Sequence, residues 1–260
     1  MKVELDPKKS VEANAAVYYE KAKKYRKKIE GVKKAIEETK RLLEKAELEH
    51  VKKTKLKKRR EKEWFEKFHW MFIDGHLVIG GRDAKSNELL VKKHMEKNDL
   101  FFHADVHGAS VVIVKNGQEL DDSDLEKAAV FAGCFSNAWK AGRGTVDVYC
   151  VKPEQVKTAA KAGEYLAKGS FVIEGQRKWF KNVELKLCLS FDGSKLFIAP
   201  CEMIKGKKVM IAPDVKKTKG ESAREILKAI HKLFPESTEA VDVNWVIELI
   251  PNGGSRIIRR

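Results

Sequence analysis

Residues 100–115, "LFFHADVHGASVVIVK", decide how the chain folds. "DLFFHAD" and "SVVIVK" read as two short strands, rich in aromatic and β-branched residues, either side of Gly108-Ala109-Ser110. In an extended chain alternate side chains share a face, so His103, Asp105 and His107 are expected side by side. Gly108 marks a bend or a close backbone approach at the end of that row.

The pattern continues on both sides. Upstream, "HLVIGG" reads as a strand ending in glycines, and "DAKSNELLVKKHM" as a helix with Asp83 as its N-cap. Downstream, "SDLEKAAVFAGCFSNAWKA" reads as one amphipathic helix, capped by Ser123 or Asp124 and stopped near Gly142. "TVDVYCVK", "GSFVI", "VELKLCLSF", "KLFIAP" and "KKVMIAP" read as strands, with "FDGSK" as a turn. "TKGESAREILKAIHKLF" reads as a helix, and "AVDVNWVIELI" as a short one. Helices segregate among short strands with no regular βαβ repeat. This pattern predicts an α+β class: a mixed sheet domain with packed helices over residues 64–260.

Residues 1–63 differ in kind. They hold 22 Lys or Arg against 12 Asp or Glu, a net of +10 out of +15 for the 260-residue chain. Ala22, Tyr25, Ile29, Val32, Ile36, Thr39, Leu43 and Ala46 step by alternating threes and fours. That spacing predicts a basic coiled-coil helix, running roughly from residue 8 to 64 as one piece. A hairpin would need a turn and a second stripe, and "VKKTKLKKRREK" is too polar to supply one. The stripe calls for a partner helix, and a homodimer is expected of the chain in isolation.

Cys134, Cys150, Cys188 and Cys201 form no C-x-x-C pair and sit in apolar settings, which predicts four reduced thiols in a cytoplasmic protein. The N-terminus carries no apolar leader and no segment is apolar enough to span a bilayer, so no membrane association is expected.

The excess of positive charge points to a polyanion, and nucleic acid first. "GQRKWFKN" places Trp179 and Phe180 beside Arg177 and Lys178, a composition suited to stacking on unpaired bases, with Phe180 the better candidate for a core ring. "IGGRDAKSNE" offers backbone amides and Arg82 to a phosphate; a tight turn with a capped helix explains it equally well. His103, Asp105 and His107 suit a metal ion, which makes a metal-dependent hydrolase or nuclease the alternative function. Against it, catalytic metals draw ligands from several elements, and His69, His76 and His94 are scattered along the chain. No cofactor is expected. Ser110 lies outside any G-x-S-x-G elbow, and no triad emerges.

"WFEKFHWM…GHLVIGGRDAKSNELLVKKHM…DLFFHADVHGASVVIVKN", together with "VKTAAKAGEYLAKGSFVIEGQRKWF", resembles the C-terminal region of the NFACT family of ribosome-associated quality-control factors. "LDPKKSVEANAAVYYEKAKKY" resembles the returning helix of that family's coiled-coil arm, so the likeness runs from about residue 4 to about residue 212. The resemblance implies an RNA-binding domain of the NFACT-R type and no enzymatic activity. It implies tRNA and the obstructed large ribosomal subunit as partners, and an N-terminal domain and first coiled-coil arm that this sequence lacks. Carried over by position, it offers Arg82, Asp83, Asn87, His103, Asp105, His107 and Ser110 as RNA-facing residues; Lys115, Arg177, Lys178 and Trp179 complete the basic surface. Asp83 and Asp105 are expected to orient Arg82 and the imidazoles, raising the histidine pKa values.

Overall fold

The computed structural model describes residues 4–8, 10–55, 63–158, 169–193, 195–235, 238 and 241–258. The chain divides into two compact units, residues 1–60 and 61–260.

The first unit is built on one helix, α1 (Val11–Lys55). Pro7 precedes its first turn, where a missing N–H costs little. The Ser10 hydroxyl accepts the Ala13 amide (3.2 Å). The Asn14 side chain accepts from the Asp6 N–H and donates to the Asp6 and Ser10 carbonyls. The Tyr18 hydroxyl donates to Glu4 O (2.6 Å), folding the leading residues back along the first turns. The helix continues through Gly31 unbroken, as one rod rather than a hairpin. Tyr25, Ile29, Val32 and Ile36 of the predicted seam are all more than half exposed. The side chains of Leu43 and Ala46, and all of residues 56–62, lie outside the described residues.

The second unit is α+β. In chain order it contains β1 (His69–Ile73), β2 (His76–Gly80), α2 (Ala84–Leu89), β3 (Leu100–Ala104) and β4 (Val112–Val114). Next come α3 (Asp122–Cys134), α4 (Asn137–Lys140), β5 (Thr145–Val151), β6 (Val156–Lys157), β7 (Val172–Ile173) and β8 (Lys178–Glu184). β9 (Leu187–Phe191), β10 (Leu196–Ala199), β11 (Val209–Pro213), α5 (Lys219–Leu233), α6 (Val243–Leu249) and β12 (Ser255–Ile258) complete it. One sheet has the order β1-β2-β4-β3-β5-β8 and a second the order β10-β9-β11-β12; β6 and β7 pair separately. Every described pairing is antiparallel. Asp74 and Gly75, both at positive φ, form the two-residue β1–β2 turn that Asp-Gly favours.

The central strands of the six-stranded sheet are buried on both faces. Leu100, Phe102 and Ala104 of β3 join a large core shared with α3, the second sheet, α5 and α6. Phe101 points the other way, into a smaller core with Ile79, Ile113, Leu90, Val91 and Val156. Pleating sorts the apolar run between the two cores, which is why these strands read as continuous apolar stretches rather than alternating ones.

Four expectations change. β3 ends at Ala104, where the Asp105 amide donates to Asp147 O (2.8 Å) and the Val106 amide to Ala104 O; His107 therefore sits on a turn rather than on the strand face of His103. The helix predicted over 123–141 starts earlier, because Asp121 rather than Ser123 or Asp124 caps it by accepting the Asp124 amide (2.8 Å). It also breaks after Cys134, where Ser136 donates to Gly133 O and then caps α4. "VELKLCLSF" is split: β8 belongs to the first sheet and β9 to the second, and the chain crosses at Leu185-Lys186. Finally, Cys188 and Cys201 form a disulfide, while Cys134 and Cys150 are free and buried. Burial pushes the Cys150 thiol up to about 11, so it stays protonated.

The disulfide joins β9 to the turn after β10, across 13 residues. Closing a loop of that size stabilises by about 3 kcal/mol through the unfolded state. A dithiol reductant, or the Cys188→Ser/Cys201→Ser pair, is therefore expected to lower the melting temperature of the second unit by roughly 5–10 °C, as read by differential scanning calorimetry.

Candidate nucleic-acid interface

The residues chosen from sequence separate into two groups. The first is internal scaffolding. Arg82 donates through Nε to Lys67 O (3.1 Å), through Nη2 to Phe68 O (3.2 Å) and through Nη1 to Glu248 O (3.0 Å). It thus bolts the start of β1 to the end of α6, and a cation at a helix C-terminus is favourable. Asp83 accepts the Ser86 amide (2.7 Å) and caps α2; it does not orient Arg82. Asn87 is buried, and its Oδ1 accepts the Val111 amide (3.1 Å). A Cβ at Gly81 would lie 1.9 Å from that Oδ1, so only glycine admits the clasp. Lys115 donates to fully buried Asp99 (2.7 Å), whose other oxygen accepts the Asn116 amide.

The second group meets on one face of the first sheet. His103, Tyr149 and Trp179 are register partners across β3, β5 and β8. Their rings form a row with centroids 5.8 and 5.3 Å apart. The Arg177 guanidinium lies 4.5 Å from the Tyr149 centroid and 5.9 Å from that of Trp179. Lys181 Nζ sits 4.2 Å from the Trp179 centroid. An exposed cation–π contact is worth about 0.5–1 kcal/mol, enough to bias these long side chains without fixing them. Trp179 is 37% exposed and Tyr149 only 7%, so Trp179 is the ring the face presents.

A β-bulge shapes this edge. Register slips between Val146 and Val148 of β5, where Asp147 alone faces two residues of β8, Lys181 and Asn182. One Asp147 oxygen accepts the Asn182 amide (2.9 Å), the other Lys181 Nζ (2.7 Å). Asn182 takes the left-handed conformation, φ 51°. The side-chain bond to Lys181, the Asn182 amide and Lys181's charge hold the Asp147 carboxyl below its ordinary range. The bulge thereby aims Lys181 at Trp179.

Lys178 belongs to the other face: it pairs with Asp122 and lies over Phe180, which packs against the large core. Asp105 borders the aromatic row, acting electrostatically on His103 and Tyr149. His107 lies on the turn and Ser110 beyond it; His107 O accepts from Asn137 Nδ2 (3.0 Å). His103 does not follow the expected rise. Burial lowers its pKa and outweighs the contacts with the Ala104 and Ala109 backbone and Asp105 that raise it. Among the described residues no group of three or more His, Cys, Asp or Glu is placed to hold a metal, so the His-Asp-His row does not become a donor set. Tyr149 and Asp147 escaped the sequence reading, because strand pairing rather than local sequence brings them to β8; Lys181 was also passed over, although its place two residues after Trp179 on one strand is a local signal.

Residues 67–175 match the family described as NFACT protein RNA binding domain. The chain belongs to the NFACT family. It is 40% identical over 227 residues to the archaeal Rqc2 homolog aRqcH of Methanocaldococcus jannaschii, covering 84% of this chain and 32% of that one. To the human ribosome quality control complex subunit NEMF it is 36% identical over 186 residues, 69% of this chain and 17% of that one. The Drosophila melanogaster NEMF homolog is 43% identical over 136 residues, 51% of this chain and 14% of that one. The chain thus spans about a third or less of the length of these NFACT relatives.

Histidine burial in this NFACT domain yields a pH dependence. His69 is buried against Phe135, and burial, with Arg82 and Lys219 adding to it, holds its pKa well below the ordinary 6.5. Below pH 6.5 the unfolded chain takes up a proton that the folded chain refuses. Stability therefore falls as pH drops from 7 towards 5, by up to about 1.4 kcal/mol per pH unit for each such histidine. His69→Phe, which keeps the ring stack, is expected to flatten this slope by about one proton in urea titrations across that range.

Proposed function

We propose that this chain is a non-enzymatic RNA-binding module of cytoplasmic ribosome-associated quality control, engaging tRNA or the ribosomal RNA of obstructed large subunits. The observation that carries it is the Arg177–Trp179–Lys181 edge, a pair of cations held against aromatic rings, directly after the residues that match an RNA-binding family and paired in one sheet with strands inside that match. The net charge of +15 supports the same partner. The named relatives include subunits of ribosome quality control complexes, which supports the cellular setting.

Binding of this kind is dominated by phosphate contacts and counterion release. Fluorescence anisotropy with labelled tRNA is expected to show log affinity falling linearly with log salt. The double reversal Arg177→Glu/Lys181→Glu should weaken binding strongly and reduce that slope by roughly 1.5, the share of two phosphates. Unchanged affinity and slope would remove the assignment of this edge.

The exposed seam on α1 supports a helical partner. In isolation we expect two copies to pair through it as an antiparallel homodimer. Light scattering of the full chain tests this, and Ile29→Lys/Ile36→Lys is expected to give a monomer.

A further inference from the structure

We propose that the face formed by β3, β5 and β8 takes an unpaired nucleotide, whose base stacks on Trp179 while Arg177 and Lys181 hold the flanking phosphates. This inference rests on the RNA-binding assignment and adds what that assignment leaves open: the form of the RNA.

Three observations carry it. First, the row His103–Tyr149–Trp179 is in strict cross-strand register, so the ring at the edge is set by its place on a strand beside buried Tyr149 and half-buried His103 rather than by a loop. A fixed, partly open indole at the rim of a sheet is a stacking platform, and every base has a face to offer it. A duplex closes its base faces off inside the helix and offers this ring only sugar and phosphate.

Second, the row is graded in accessibility. Tyr149 is covered by Arg177, and His103 is half-buried beneath the Asp105 turn; Trp179 alone is open. The face therefore has room for one stacked base.

Third, the two cations differ in their anchoring. Arg177 spans both Tyr149 and Trp179. Lys181 lies over Trp179 but is 60% exposed along its side chain and tied to Asp147, on the rim. An incoming base displaces Lys181 from the indole, and the lysine keeps its place at the edge through Asp147, beside the phosphate that follows the base. Free of RNA, the same lysine covers the indole, which keeps an exposed tryptophan from being a bare apolar surface.

The test uses the full chain and two probes, a twelve-nucleotide unpaired oligoribonucleotide and a twelve-base-pair RNA duplex, by anisotropy at matched salt. Trp179→Ala is expected to lower affinity for the unpaired probe about tenfold or more and to leave the duplex within twofold. Trp179→Phe, which keeps a ring, should retain most of the unpaired-strand affinity; circular dichroism melts confirm that both variants are folded. Equal losses on the two probes, or none on either, would overturn the inference. Equal losses would still leave charge-driven RNA binding at this edge intact. Loss of that broader assignment is a separate result, given by unchanged binding in the Arg177→Glu/Lys181→Glu protein.

Discussion

A sheet with apolar side chains on both faces must be covered twice, and the architecture of the second unit follows from that constraint. Leu100-Phe101-Phe102 sends rings to opposite sides, and each side demands its own roof. α3 and the second sheet close one side. The other is closed more thinly, by the turn at Trp64–Lys67, α2 and its continuation, and the β6–β7 pair. Among the described residues that thinner roof does not extend over the β5–β8 margin, and there the aromatic row ends in the partly exposed Trp179. The candidate site exists where the covering runs out.

Much of this was legible in the residues. The long helix and the α+β character came from period and punctuation, which are local signals. So did Asp83 as a cap and "FDGSK" as the turn between β9 and β10. What local signals could not reveal was which strand pairs with which. "VELKLCLSF" looks like one strand because its apolar run is unbroken; its first half faces one sheet and its second half another. The Cys188–Cys201 bond was hidden for the same reason, since the two residues meet only once β9 and the turn after β10 are in place.

The candidate site teaches a related lesson about motifs. The most conspicuous pattern, Gly-Gly-Arg-Asp with Asn87 four residues on, is a set of internal fastenings in the fold: Arg82 on three carbonyls, Asp83 on α2 and Asn87 on Val111. Polar side chains that satisfy buried backbone groups leave as strong a mark in sequence as those that meet a ligand. Trp179 in β8 and Arg177 just ahead of that strand, by contrast, make a weaker mark, and their significance depends on Tyr149 from a neighbouring strand.

The bulge at Asp147 and Asn182 has one more effect. β8 is the last strand of its sheet, and its outer backbone groups are a template to which a stray extended chain can zip. A left-handed residue in mid-strand, Asn182, kinks that template, and the charged Lys181 stands next to the kink. An extended chain adding to this edge would meet that kink and the charge beside it, which disfavours polymerisation through β8.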